Sequence, residues 1–496
     1  MPEFSAGENM NLNLSSIFRI IGIVMMVICI AMLPSFFVSI IYGESDVAKA
    51  FINIILIAGF IGFLLSKVCQ YNTKQLRVRD GFLIVTLCWL ISTIMGAFPF
   101  VVTGSIPSFT DAFFESASGF STTGGSILND IEALPRGILF WRSFTHWIGG
   151  MGILIFAIAL MPSLGISGQN LAVSEAPGPS LDKVTPKMTD TAKILYVTYI
   201  MFTIVETILL MLGGMSLYDA LIHTFGTVGT GGFSSYNDSI AHFNSSYIYI
   251  VITVFMVLCG TNFNLYFFSL RNSIKAFMED SEFKFYILTI VASSLCIFIV
   301  LMFKGHYSSG TDAALDSSFQ VASILTTTGY ATADYEQWPA VAQMIILILM
   351  FMGGSSSSTA GGIKIVRILI ILKLIRRGIS TRLHPNVIET IKLNGKQMPV
   401  DTVSAIANHF FLYLALVFFG AFIISFENTD MMTCFTSVIT CLGNIGPGFG
   451  AVGPSENFSA LSDLSKWLLS LYMIAGRLEF YTMFVLLMPK FWSSNR

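Results

Sequence analysis

The sequence predicts an all-α polytopic membrane protein whose helices surround a central pore. Three observations predict it. Apolar segments of membrane-spanning length recur along the chain, Lys and Arg are concentrated in alternate connecting segments, and a half-length apolar stretch running into Gly, Thr and Ser occurs four times. Of the 496 residues, 54% are hydrophobic and only 11% charged, with a mean hydropathy of +0.74. That is too little charge to cover a water-soluble globule of this size. The net charge of -2 points to no nucleic-acid partner. The seven cysteines lie mostly inside apolar runs, without CxxC or Cys/His spacing, and read as packing residues.

Taken in order, residues 1–9 are polar, lack a basic region and precede a second methionine, Met10, so they read as an appended leader outside the fold. Crossing the hydrocarbon core takes roughly 20 apolar residues of helix. Ten stretches qualify: Ile17–Tyr42, Val47–Cys69, Phe82–Val102, Ile138–Met161, Lys193–Leu212, Tyr247–Leu270, Phe285–Phe303, Val341–Ile375, Val403–Ile424 and Trp467–Met488. One set of connections carries Lys67, Lys74, Arg77, Arg79, Lys183, Lys187, Lys193, Arg271, Lys275 and Lys284. The basic run from Lys364 to Lys396, Lys490 and Arg496 belong to the same side. Residues 103–135, 213–246, 305–339 and 426–465 contain neither Lys nor Arg. Short cytoplasmic loops retain positive charge, so both termini are expected to be cytoplasmic.

The four segments without cations read ESASGFSTTGGSIL from Glu115, LIHTFGTVGTGGFSS from Leu221, FQVASILTTTGYATAD from Phe319 and FTSVITCLGNIGPGFG from Phe435. Each opens with a stretch too short to span and ends in residues that reach unusual backbone angles. That is the expected form of a re-entrant half-helix followed by an extended segment. With a full span on either side, the unit repeats as though multiplied around an axis.

Non-helical backbone inside a membrane is tolerated only where protein or a water-filled cavity satisfies it, so four such segments converging on one place would line a cavity with carbonyls. Carbonyl oxygens that replace an ion's hydration shell are the device of potassium selectivity, and TTGG, TGGF and TTGY resemble a degraded TVGYG signature. The same segments hold Asp111, Glu115, Asp130, Glu132, Asp219, Asp238, Asp312, Asp316, Asp334, Glu336, Glu427, Asp430 and Glu456. As an ensemble they would concentrate cations at the outer mouth; the alternative is that each is an ordinary solvated loop carboxylate.

Together with the four segments, the motifs DAFFESASGFSTTGG, HWIGGMGILIFAIALMP, EAPGP, GGFSSYNDS, HPNVIETIKLNG, NIGPGFG and GRLEFYT resemble the TrkH/TrkG potassium-uptake family, within the Trk, Ktr and HKT superfamily of cation transporters. The likeness runs over nearly the whole chain from Met10. It implies two N-terminal transmembrane helices (residues 10–70) and four M1-P-M2 repeats (71–165, 166–276, 277–385 and 386–496) with the pseudo-fourfold symmetry of a potassium channel. It also implies a homodimer in the lipid of a bacterial inner membrane, and a cytoplasmic nucleotide-binding ring protein of the TrkA type that controls the pore. Potassium is then the bound ion, with no organic cofactor on this chain. No P-loop, dinucleotide fingerprint or nucleophile–base constellation appears, so the chain is not expected to be an enzyme.

Carried over residue by residue, the resemblance places a selectivity filter at Thr122, Thr123 and Gly124, at Thr230, Gly231 and Gly232, at Thr327, Thr328 and Gly329, and at Asn444, Ile445 and Gly446. In the second repeat, gapless internal alignment points to Gly231 as the filter glycine and the family's GGF pattern to Gly232. A serine at the first filter position goes with sodium passage in this superfamily; glycine at all four positions favours potassium. The fourth segment departs furthest from the Thr-Gly theme.

The eighth stretch is too long and is interrupted by Gly353, Gly354, Ser355, Ser356, Ser357, Ser358, Thr359, Ala360, Gly361 and Gly362. This run reads either as a gate, an intramembrane loop beneath the filter, or as a small-residue packing face. Arg477 stands inside the tenth apolar stretch, where a charge must face protein or water. It reads as a barrier to cations in the pore, with Glu479 balancing it or facing elsewhere; a structural ion pair is the alternative. Glu206 is a second intramembrane charge with no partner identifiable from sequence, whereas His146, Asn262 and Asn264 read as packed, hydrogen-bonded residues. The basic run from Lys364 suits a cytoplasmic partner or anionic lipid. Two further classes stay open: a proton- or sodium-coupled symporter with a midplane site, and a receptor or assembly scaffold.

Overall fold

The computed structural model describes residues 12–69, 78–152, 188–272, 275–386 and 389–492. The leader, EAPGP, Lys74, Arg77, Lys183, Lys187 and Arg496 lie outside them. Apart from one two-stranded hairpin, β1 (Lys392–Leu393) with β2 (Lys396–Gln397), the described chain is helical, as the sequence predicts. Helices α1 (Leu14–Ile41) and α2 (Ser45–Val68) pack together where Gly22 and Gly62 face each other, a crossing that only small residues allow. Next come α3 (Val78–Val102), a half-helix α4 (Phe109–Ser121) and α5 (Arg136–Gly150). The pattern recurs as α6 (Met188–Leu212), half-helix α7 (Leu217–Val228), α8 (Ser246–Cys259) and α9 (Phe263–Asn272). After a short α10 (Lys275–Glu279), α11 (Ser281–Phe303) leads to half-helix α12 (Gly310–Leu325), α13 (Ala340–Met350) and α14 (Ile365–Leu383). Finally α15 (Val400–Ile424) precedes half-helix α16 (Met431–Gly443), α17 (Asp463–Arg477) and the short α18 (Tyr481–Phe484) and α19 (Pro489–Trp492).

Each half-helix starts the same way. Ser108, Ser216, Ser309 and Asp430 occupy the N-cap, and their side-chain oxygens accept from the backbone N–H of Asp111, Asp219, Asp312 and Thr433. These bonds satisfy orphan donors, and the first-turn aspartates of α4, α7 and α12 suit the positive end of the helix dipole. The half-helices are buried along most of their length, whereas Ile57, Phe60, Phe303, Phe418 and Phe422 stay exposed on the long helices, forming an apolar outer surface suited to lipid.

Among the described residues six helices are individually long and apolar enough to cross a membrane, or up to eight if each bent pair counts as one span. Three of the ten expected stretches are therefore not continuous helices. The sixth bends by 87° between α8 and α9, and the tenth by 113° after Arg477, where Glu479 and Phe480 take left-handed backbone angles. The eighth divides at the Gly/Ser run into α13 and α14. Hydropathy registers the average composition of a stretch and not its direction, so a bend inside a stretch that stays apolar on average leaves no trace in it. Within the fourth stretch α5 ends at Gly150; residues from 153 lie outside those described. The basic run also needs correction at its start. Arg367 is 5% exposed and pairs with Glu479, and the Lys364 ammonium donates to the Ala360 carbonyl, so both turn inward.

Candidate ion-binding site

All four half-helices end in one motif. Thr122, Thr230, Thr327 and Asn444 adopt left-handed angles with φ of 57°, 54°, 57° and 54°. The next residue in each case returns its N–H to a carbonyl five residues back: Thr123 to Ser118 at 2.9 Å, Gly231 to Gly226 at 2.7 Å, Thr328 to Ser323 at 2.8 Å and Ile445 to Thr440 at 2.8 Å. This closes the helix and turns the chain sharply. Glycine usually fills the left-handed position, and a β-branched residue there is strained by about 1–3 kcal/mol, a strain that clusters at functional sites.

Two residues after each left-handed position stands a glycine with positive φ: Gly124 (80°), Gly232 (81°), Gly329 (81°) and Gly446 (97°). In the second repeat Gly232 holds this place, while Gly231 stands level with Thr123, Thr328 and Ile445. A Cβ on Gly124 would collide with the carbonyl oxygen of Gly231, on Gly232 with that of Thr328, on Gly329 with that of Ile445, and on Gly446 with that of Thr123. Each turn thus abuts the next, and the fourth abuts the first. The expected filter residues come together as a closed ring of four turns at the carboxyl ends of four half-helices. Gly124, Gly232 and Gly329 keep partial exposure, whereas Thr122, Thr123, Thr230, Thr327, Thr328, Asn444 and Ile445 are buried. The Asn444 amide ties the fourth turn to the first by donating to the Thr123 hydroxyl at 3.0 Å, and it also donates to the Met473 carbonyl at 2.8 Å.

The Gly353–Gly362 run is a non-helical loop packed against this ring, not a helix-packing face. The Gly361 N–H donates to the Thr327 hydroxyl at 2.7 Å, and a Cβ at Gly361 would strike the Gly443 carbonyl. Elsewhere the loop is tethered through Ser355 N–H to the Gly260 carbonyl (2.9 Å), Ser357 carbonyl to Phe263 N–H (3.1 Å) and the Ser356 hydroxyl to Glu282 (2.7 Å). Arg477 reaches the same loop. One arm of its guanidinium donates to the Thr359 carbonyl at 2.7 Å, the other to the carbonyls of Gly149 and Gly150, at 2.7 and 2.6 Å, at the carboxyl end of α5. A helix carboxyl terminus is a natural seat for a cation. Glu479 faces Arg367 on α14.

Of the other sequence expectations, His146 is fully buried and its Nδ1 lies 2.7 Å from the Gly119 carbonyl. Asn262 reaches the loop at Ser356, and Glu206 is fully buried. Two members of the expected outer acidic field are engaged inside the protein. Glu115 is fully buried against Arg142, and Asp111 bonds Lys466 at 2.7 Å. Asp130, Glu132, Asp238, Asp312, Asp430 and Glu456 remain exposed. Arg142 and Glu282 are functional candidates that the glycine pattern does not mark. The signal for Arg142 is a charge inside the fourth apolar stretch; Glu282 sits at a helix start and carries none.

Fold and site define a multi-pass membrane protein with a four-part ring at the junction of its half-helices. The family profile described as TrkH, cation transport protein, matches residues 47–494, and the chain belongs to that family, whose members are transporters and not enzymes. The chain is 35% identical over 480 residues to the Trk system potassium uptake protein TrkH of Escherichia coli K12, covering 96% of this chain and 99% of that protein. Over 484 residues it is 34% identical to Trk system potassium uptake protein TrkG of the same strain, covering 95% of this chain and 97% of that one. The solved structure of the potassium transporter TrkH from Vibrio parahaemolyticus superposes with a TM-score of 0.86 at 33% identity, covering 97% of this chain and all of that one.

Proposed function

We propose that this chain takes up potassium across a bacterial inner membrane, and that the ring at Gly124, Gly232, Gly329 and Gly446 is its selectivity filter. The observation that carries this reading is the closed cycle of glycine-to-carbonyl contacts among the four turns. Backbone packed so closely brings carbonyls of successive repeats to one place, where they can stand in for an ion's water. Each half-helix aims its carboxyl end there, and each such end carries roughly half an elementary negative charge, which favours a cation. The ion contacts are the carbonyls of Thr122, Thr123, Thr230, Gly231, Thr327, Thr328, Asn444 and Ile445.

In this reading the Gly353–Gly362 loop is the gate, and Arg477 is both its latch and a repulsive charge on the ion path. The bond from Gly361 to Thr327 and that from Arg477 to Thr359 support that assignment, because they join loop, ring and barrier directly. A homodimer, cytoplasmic termini and regulation by a TrkA-type nucleotide-binding ring protein complete the proposal. Reversal potentials of the purified protein in planar bilayers, under opposed potassium and sodium gradients, test it. A potential close to the potassium equilibrium value is expected; equal permeability to both ions would overturn it.

A further inference from the structure

We propose that the buried Glu115–Arg142 ion pair is a positioning device that sets the backbone geometry of the first two turns of the ring, and thereby its discrimination between monovalent cations. The inference rests on the filter reading above. Arg142 Nε donates to Glu115 Oε1 at 2.5 Å, with the two side chains 2% and 0% exposed. Each partner then grips a different repeat. The Glu115 carboxylate accepts from the Ser126 hydroxyl at 3.0 and 3.2 Å and from the Ile127 N–H at 3.0 Å. Arg142 donates through Nη1 to the Ser234 carbonyl at 3.0 Å, and its guanidinium lies 3.5 Å from the centre of the Phe233 ring. Ser126 and Ser234 both stand two residues beyond their glycines, Gly124 and Gly232. One pair of charges therefore holds two neighbouring segments at matching points.

The four repeats supply an internal comparison. Seven residues before each left-handed position stand Glu115, His223, Gln320 and Ser437. His223 Nε2 meets the Ser234 hydroxyl at 2.9 Å, with its Nδ1 on the Asp219 carbonyl at 2.7 Å. Gln320 donates to the Ala333 carbonyl at 3.1 Å, and among the described residues the Ser437 hydroxyl bonds within its own helix, to the Cys434 carbonyl at 3.3 Å. The position braces the extended segment in three repeats, yet only the first uses a charge. Neutral groups suffice for bracing, and burying an ion pair is a poor route to stability because desolvation offsets the attraction. What the pair adds is direction: charge-assisted bonds from a rigid planar fork fix two backbones relative to each other. Cation discrimination is a difference of affinities and is sensitive to where the carbonyls stand.

The test uses the full chain in vesicles and reads the potassium-to-sodium permeability ratio. The double substitution Glu115→Gln with Arg142→Gln leaves no uncompensated buried charge. It is expected to elute as wild type while its ratio falls about tenfold, equivalent to about 1.4 kcal/mol of lost discrimination. Gly329→Ser, at a ring position outside the pair's contacts, serves as reference. An unchanged ratio in the double variant together with a lowered one in Gly329→Ser overturns the positioning role and leaves the filter standing. Unchanged ratios in both overturn the filter reading and this inference with it. If the double variant does not fold, Arg142→Lys keeps the charge but loses the fork; a lowered ratio there supports the proposal, and a wild-type ratio refutes it.

Discussion

Replacing Gly232 with alanine isolates the ring's contribution. The residue has φ of 81°, and an added Cβ would run into the Thr328 carbonyl oxygen. The backbone angle alone costs an L-residue roughly 1–2 kcal/mol. Relieving the collision moves the carbonyl by about 1 Å, since neither partner is a flexible side-chain end that could swing away. Displacements of that size in a site of fixed geometry cost on the order of 100-fold in rate. Gly214 provides the control: its φ is 95°, but a Cβ there meets nothing within 4 Å. Gly214→Ala is expected to lose only the small amount of thermal stability that the backbone angle costs and to keep its rubidium uptake, while Gly232→Ala loses more stability and loses uptake into vesicles. Equal transport by the two variants would refute the claim that close approach at Gly232, and not its backbone angle alone, serves function.

Arg477→Ala removes the bonds to Thr359, Gly149 and Gly150, and is expected to raise passive potassium flux into vesicles; unchanged flux would count against both latch and barrier. Deleting residues 353–362 should raise leak conductance in the same assay, and an unaltered conductance would discard the gate. Arg367→Ala strands the largely buried Glu479 carboxylate, so a loss of about 3 kcal/mol in unfolding stability is expected from the behaviour of broken buried pairs, measured by thermal denaturation in detergent. Asp430, the cap of the fourth half-helix, is held below the ordinary aspartate range by the Thr433 hydroxyl, its largest influence. A depressed carboxyl contributes stability that is complete above the unfolded-state value of about 3.9 and is lost as pH falls through the lower folded value. The stability gap between wild type and Asp430→Asn should therefore persist at neutral pH and close only under strongly acidic conditions.

The membrane class, the half-helices and the place of the ring were legible because each leaves a local trace. Apolar length marks the spans, a half-length apolar stretch marks each half-helix, and Gly after Thr marks the first three turns, the fourth being carried by Gly446 after Asn444 and Ile445. The identity of the second ring glycine was not, since Gly231 and Gly232 are adjacent and only the backbone angle separates them. Bends at the sixth and tenth stretches were hidden as well, because the helices on both sides of the breaks at 260–262 and 478–480 keep each stretch apolar on average, and tertiary packing imposes the turn. Charges deceived in a systematic way. Glu115, Asp111, Lys364 and Arg367 look like loop residues in sequence, yet each is satisfied by a partner far along the chain or within the gate loop. Long-range pairing of that kind has no period and no spacing to read.

The central claim is that carbonyls of the four turns hold a dehydrated monovalent cation, and anomalous diffraction from crystals grown with rubidium in place of potassium tests it most directly. Anomalous peaks are expected on the axis of the ring, ligated by the carbonyls of Thr123, Gly231, Thr328 and Ile445. Rubidium found only among the exposed carboxylates of the outer loops, with the ring empty, would contradict it.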